Sequence, residues 1–185
     1  SMEHQPSPPQ GGHGGTDWDR ITAIAAVLIG LAAVAVSVYT VQLQREQIRA
    51  EVWPRLVLYY AGMDGEFRIA NKGVGPAIIE SVQLSVDGKP VRTWVEATSQ
   101  LGLTDPEQLY STLFGTVLSP GEHLAYLKPS SPEAFTQIRG QVGRMTLTVC
   151  YCSALEECWI LESRKEELAA VDACPAVPAE LRFND

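Results

Sequence analysis

An uninterrupted apolar segment near the N-terminus constrains this chain more than any other feature of its sequence. Residues 21–43 read ITAIAAVLIGLAAVAVSVYTVQL and contain no charged side chain. About 20 apolar residues cross the hydrocarbon core of a bilayer as an α-helix, and a helix satisfies its own backbone hydrogen bonds, as hydrocarbon requires. A buried helix of a soluble protein rarely runs this far without a charge. The sequence therefore predicts a transmembrane helix, over residues 20–52 with its polar extension.

A cleaved signal peptide is the main alternative for such a segment. A signal peptide joins a basic start to an apolar core of about 7–15 residues. Here Asp17 and Asp19 accompany Arg20 before the segment, and the apolar run is longer than that. We therefore expect a retained, single-pass anchor in the lipid bilayer.

Small and hydroxyl side chains recur along one face of the predicted helix. Their spacing of three or four residues places them on the same side. They are Ala23, Ala26, Gly30, Ala33, Ser37 and Thr40. Because small residues let transmembrane helices approach closely, the sequence predicts a homo-oligomer that self-associates through this face. An oligomeric pore or channel-like effector is the alternative interpretation of the same stripe.

Basic residues after the segment predict the side of the membrane on which the rest of the chain lies. Arg45, Arg49 and Arg55 follow it, whereas only Arg20 precedes it. Arginine and lysine near the ends of a span favour the cytoplasmic side. This bias predicts a cytoplasmic domain anchored in a bacterial inner membrane.

The four cysteines indicate the opposite side. Cys152 and Cys158 flank a short turn and could form a disulfide across a hairpin. Alternatively, Cys150 or Cys152 could bond to Cys174. Disulfides persist in oxidising compartments, so either pairing favours a periplasmic domain. Free thiols and a zinc site remain alternatives, although the spacing matches no common zinc pattern.

The composition excludes some functions and leaves others open. The net charge of −8 argues against nucleic-acid binding, because no basic patch is available to neutralise phosphates. His123 is the only histidine outside the N-terminal tail, and no nucleophile motif accompanies it. We therefore expect no catalytic residues, no cofactor and no metal, and we expect an unidentified protein partner.

Residues 53–163 alternate between apolar and polar side chains and are punctuated by turn signals. Asp64-Gly65 and Asp87-Gly88 predict two tight hairpins, the second leading into a strand over Val91–Val95. A third hairpin is expected to join Thr116–Leu118 to His123–Leu127. Seven or eight strands in one run predict an antiparallel β-sandwich, immunoglobulin-like, or a small barrel.

The sequence also predicts two short helices in the β-domain and the structure of both ends of the chain. Hydroxyl caps followed by proline and glutamate predict short helices over Pro106–Leu113 and Pro132–Arg139. Residues 1–19 read as a disordered tail, and residues 164–185 read as a helix that gives way to a tail. The loop Asn71–Ala77 contains two glycines and reads as a structural turn, with a binding loop as the alternative.

Three short motifs give the chain a resemblance. They are R-x-E-V-W-P-R-L at Arg49–Leu56, N-K-G-V-G-P-A at Asn71–Ala77, and C-Y-C-S followed by E-C-W from Cys150. Together with the single span, they resemble a group of uncharacterised bacterial single-pass membrane proteins with a small C-terminal β-domain. The resemblance implies no activity and assigns no site residues.

These patterns lead to three expectations of function. The first is a non-enzymatic, membrane-anchored interaction module that self-associates through its transmembrane helix. The second is the pore or channel-like effector. The third is a periplasmic ligand-binding or envelope-sensing domain, which requires oxidised cysteines.

Overall fold

The computed structural model describes residues 16–103, 107–165, 167–178 and 181–184. It divides into two compact units, residues 1–47 and residues 48–185.

A single long helix, α1 (Thr16–Glu51), contains the apolar segment. Within Asp17–Arg45, the most apolar stretch of 18 residues has a mean hydropathy of 2.6, and none of that stretch is buried. By length and composition this helix could cross a membrane. The prediction of a long apolar helix is confirmed, but the helix starts earlier than expected, because Thr16–Asp19 are helical and not part of a disordered tail. Asp17 and Asp19 in the first turn suit the positive end of the helix dipole.

The second unit consists mainly of antiparallel β-strands, as predicted, with a few short helices. In chain order the strands are β1 (Leu56–Ala61), β2 (Glu66–Asn71), β3 (Ala77–Val86), β4 (Lys89–Val91), β5 (Leu109–Tyr110), β6 (Val117–Leu118), β7 (His123–Lys128), β8 (Met145–Cys152), β9 (Cys158–Glu162) and β10 (Ala169–Val171). The helices are α2 (Trp94–Gln100) and α3 (Pro132–Gln141), the latter followed by a 3-10 turn at Val142–Arg144.

The strands form two sheets. Sheet A has the order β1-β2-β7-β5, and sheet B has the order β10-β9-β8-β3-β4, with β6 paired to another part of β3. Every pairing is antiparallel. Both sheets contribute to one hydrophobic core, which also takes Trp94 from α2 and Ile138 from α3.

Two local predictions in this unit are confirmed, and strand β3 also contains a bulge between Ile79 and Ser81. Val86 pairs with Lys89 across the Asp87-Gly88 turn, and both turn residues have positive φ angles, 49° and 77°. The helix predicted from Pro132 forms, and the Ser131 hydroxyl accepts a hydrogen bond from the Ala134 N–H at 3.1 Å.

Two predictions for the middle of the chain are wrong. The expected strand Val91–Val95 stops at Val91, because Thr93 caps α2 by accepting a hydrogen bond from the Glu96 N–H. The expected helix Pro106–Leu113 begins among residues outside the described set, and its described part contains β5 instead. Strand β5 pairs with the edge of β7, and this pairing prevails over the local helix signal.

The predicted third hairpin is also wrong. The turn before His123 forms, with Gly121 at a φ of 77° and the Glu122 N–H donating to the Ser119 carbonyl. The strands on its two sides nevertheless belong to different sheets, because β6 pairs with β3 and β7 pairs with β2.

The predicted C-terminal helix is replaced by extended chain among the described residues. Strand β10 pairs with β9, which would otherwise be the open edge of sheet B. Beyond it, Phe183 is 1% exposed and donates its backbone N–H to the Val82 carbonyl. Its ring packs edge-on against Trp94 at 5.1 Å. The end of the described chain thus completes the core between β4 and β6.

Candidate functional site

Strand β8 carries two cysteines on the face opposite the core. Cys150 and Cys152 alternate with Val149 and Tyr151, whose side chains are buried in the core. Cys158 lies directly opposite Cys152 on β9, with the Cα atoms 4.0 Å apart. The structure joins Cys152 to Cys158 by a disulfide, the pair that the sequence offered.

A second disulfide lies against the first. Cys150 bonds to Cys174, which follows β10, and the two Cα atoms are 5.7 Å apart. The Sγ atom of Cys174 is also 3.7 Å from the Sγ atom of Cys152. No cysteine is free. Cysteine binds zinc as a thiolate, so the alternative zinc site would require reduction of this disulfide cluster (Cys150, Cys152, Cys158 and Cys174).

The residues of the predicted self-association face all lie on α1, and all of them are exposed. The described side chains of Ala23, Ala26, Gly30, Ala33, Ser37 and Thr40 are all exposed. The Ser37 and Thr40 hydroxyls each donate to the carbonyl four residues earlier, at 2.8 Å. Because these donors are satisfied within the helix, the stripe requires no water-filled pore to solvate them.

The glycine-containing loop after β2 holds the segment that follows α1. Asn71 is fully buried, and its side chain makes four hydrogen bonds. It accepts from the N–H groups of Arg55 (3.1 Å) and Gly73 (2.9 Å) and donates to the carbonyls of Gly75 (2.7 Å) and Leu118 (3.0 Å). These bonds give the loop a structural role, as its turn interpretation predicts.

Gly73 and Gly75 lie where the backbone of residues 52–55 approaches too closely to leave room for a side chain. A Cβ atom on Gly73 would lie 2.3 Å from the Trp53 carbonyl oxygen, and one on Gly75 would lie 2.0 Å from that of Val52. The N–H groups of Val74 and Gly75 both donate to the Trp53 carbonyl. A side chain at either glycine would push this segment away.

A cavity of about 250 Å³ lies among residues from both sheets, α2 and α3. Its walls are mostly apolar and aromatic, and its buried lining residues include Phe67, Leu84, Trp94, Tyr126, Ile138 and Met145. Exposed residues, among them Tyr60, Val142 and Arg164, form its rim. Such a concave, apolar site is typical of a small-molecule pocket. Sequence patterns gave no sign of it, because it arises from the packing of elements far apart in the chain.

Two aromatic residues in the cavity wall carry polar groups, namely the indole N–H of Trp94 and the hydroxyl of Tyr126. Trp94 stacks on Tyr126 with ring centroids 5.5 Å apart, and the Trp94 indole N–H is enclosed without a hydrogen-bond partner among the described residues. Burial raises the pKa of Tyr126 well above its usual value, and no hydrogen bond contributes to that shift. The Tyr126 hydroxyl therefore stays protonated and can donate a hydrogen bond.

Several charged side chains of the β-domain form ion pairs at its surface. Lys128 and Arg68 lower the pKa of Glu66 by hydrogen bonding to its carboxylate, at 2.9 Å and 2.7 Å. Arg144 likewise lowers the pKa of Asp87, in the turn of the β3–β4 hairpin, by hydrogen bonding to its carboxylate. His123 lies exposed at the start of β7. These arrangements are ordinary ion pairs and an exposed imidazole.

Comparisons with protein-family models, curated proteins and solved structures found no match for this chain.

Proposed function

We propose that this chain is a non-enzymatic, single-pass membrane protein whose β-domain lies in an oxidising compartment and acts by binding. In a bacterium, that compartment is the periplasm. The disulfide cluster is the observation that carries this proposal, because all four cysteines are paired. Cytosolic reductants keep most protein thiols reduced.

The arginine bias argues for the opposite orientation, and the proposal sets it aside. Three arginines follow the span and one precedes it, which is a modest difference. The charge rule describes a statistical bias in the orientation of inserted helices. Two disulfides in one small domain would be unusual in the cytosol. We therefore give the cysteines more weight than Arg45, Arg49 and Arg55.

The finer prediction of an immunoglobulin-like sandwich belongs to the same proposal. Two antiparallel sheets that share one core support a sandwich architecture.

The orientation can be tested with a membrane-impermeant maleimide on intact cells. Met63 is fully exposed in the β1–β2 turn, so the Met63→Cys variant supplies an accessible thiol that is independent of the native pairs. We expect this variant to react in intact cells without reduction, whereas the native chain reacts only after reduction. Reaction of Met63→Cys only after lysis would place the domain in the cytoplasm and overturn the proposal.

Self-association through the helix is the second candidate function. The stripe of small residues supports it, because the stripe is exposed and small residues let helices approach closely. Gly30→Leu adds bulk on the stripe, and Ala35→Leu adds similar bulk on the opposite face as the matched control. We expect crosslinked oligomers in detergent to be lost with Gly30→Leu alone. Equal yields of oligomers from the two variants would rule out this face.

A further inference from the structure

We propose that the cavity between the sheets binds a neutral, ring-sized apolar molecule that carries one hydrogen-bond acceptor, which pairs with the Tyr126 hydroxyl. This site is independent of the side of the membrane on which the domain lies.

The size of the cavity sets the size of the ligand. An apolar cavity of about 150 Å³ is large enough to hold benzene. The cavity here, at about 250 Å³, is larger by several heavy atoms, so it accommodates a six-membered ring with a short substituent. Phe67, Trp94 and Tyr126 supply aromatic walls on which a ring can stack or pack edge-on.

The polarity of the lining sets the chemistry of the ligand. Buried tyrosine hydroxyls normally have a hydrogen-bond partner, and no hydrogen bond contributes to the raised pKa of Tyr126, which is 9% exposed and lines the cavity. The Trp94 N–H is enclosed by protein atoms, so a ligand would meet the Tyr126 hydroxyl first. A carbonyl or ether oxygen on the ligand would accept this hydrogen bond.

The absence of charge in the buried lining excludes an ionic ligand. Among the described residues that line the cavity, Arg164 alone is charged, and it lies exposed at the rim. Burying a carboxylate or an ammonium among the apolar side chains of Leu84, Ile138 and Met145 would be costly without a counter-charge. The ligand is therefore neutral.

A matched pair of ligands tests the role of the acceptor. Acetophenone carries a ring and a carbonyl oxygen, and isopropylbenzene has nearly the same shape without the oxygen. Each would be titrated into the full-length chain in lipid nanodiscs, and the shift of the Trp94 indole N–H signal would be followed by NMR. We expect acetophenone to bind roughly tenfold more tightly, the usual effect of one well-formed hydrogen bond in a buried site.

Two tyrosine variants test the assigned hydroxyl. Tyr126→Phe removes only the oxygen, so the preference for acetophenone should fall to about onefold while isopropylbenzene binds as before. Tyr110→Phe is the control, because Tyr110 is half-exposed and does not line the cavity. An unchanged preference in Tyr126→Phe, or no shift with either ligand at millimolar concentration, would overturn the proposal.

Two glycine variants keep the proposal testable if Tyr126→Phe fails to fold. Gly143 lines the cavity, Gly140 does not, and a Cβ atom at either position would meet no atom within 4 Å. Gly143→Phe should weaken both ligands at least tenfold by filling the entrance, whereas Gly140→Phe should leave both unchanged. Equal binding by the two variants would show that the ligands bind elsewhere.

Discussion

The side chain of Asn71 should be the most costly single polar group to remove from the β-domain. Replacement by alanine removes all four of its hydrogen bonds. It leaves two N–H groups and two carbonyls without their partner in a site that is 0% exposed. Each lost bond costs about 1 kcal/mol, so Asn71→Ala should lower the free energy of unfolding by about 4 kcal/mol. That is a large part of the roughly 5–15 kcal/mol that stabilises a typical domain.

Thermal unfolding of the full-length chain in detergent would measure this loss. Near-ultraviolet circular dichroism follows the buried aromatic residues, and a loss of about 4 kcal/mol in a domain of this size should lower Tm by about 15 °C. Asn184→Ala is the matched control, because the Asn184 side chain is exposed and surface substitutions usually change stability by about 0.5 kcal/mol or less. A cost below about 1 kcal/mol for Asn71→Ala would refute the assignment of Asn71 as the buried link between the loop, β6 and the segment after α1.

Three further predictions concern close packing, the end of the chain and pH. Gly75→Ala should destabilise the domain by more than 2 kcal/mol, about the cost of forcing a core contact, whereas Gly62→Ala, with open space around its Cβ, should change stability little in the same assay. Phe183→Ala should cost about 3–5 kcal/mol in a urea titration, because it empties a ring site in the core; a cost under 1 kcal/mol would show that the ring is dispensable. The folded pKa of Glu66 lies below its ordinary value of 4.5, so its bond to Lys128 stabilises the domain above that pH and is lost as the pH falls through the folded pKa. The stability difference between wild type and Glu66→Gln, at most about 1 kcal/mol at pH 7, should therefore shrink as the pH falls below 4.5, and a difference that stays constant would contradict this prediction.

Local chemistry predicted the turns of this fold better than its strand pairing. The Asp87-Gly88 hairpin could be predicted because its two residues tolerate the positive φ angles that the turn requires. Gly121 also forms the turn expected of it. Which strands pair on the two sides of that turn is decided by contacts with β2 and β3, and these contacts leave no trace in the nearby sequence.

Helix caps gave a signal that depended on context. The helix predicted from Pro132 forms with Ser131 as its cap, two residues before Glu133. Thr93 caps α2 with Glu96 three residues later, a signal that the alternating pattern around Val91 obscured. Where a helix was predicted from Pro106, the described chain instead forms β5, which pairs with the edge of β7. A cap therefore predicts where a helix can begin but not whether a neighbouring sheet edge will take the segment instead.

The candidate sites could be predicted in part. Cys152 and Cys158 face each other because the turn between them is short, a relation that can be read from spacing. The bond between Cys150 and Cys174 depends on the path of the chain through β10. The cavity depends on Trp94 and Tyr126, which come from separate elements and meet only in the core.

The two disulfides also impose an order on biosynthesis. In an oxidising compartment, Cys152 and Cys158, which are 6 residues apart, can meet as soon as their hairpin emerges, whereas Cys150 must wait for Cys174, which is 24 residues away. If the hairpin bond formed late, Cys152 could be captured by Cys174, since their sulfur atoms lie 3.7 Å apart in the finished fold. Early closure of the hairpin therefore protects the later pair from scrambling, and a disulfide isomerase would be needed most when synthesis outpaces oxidation.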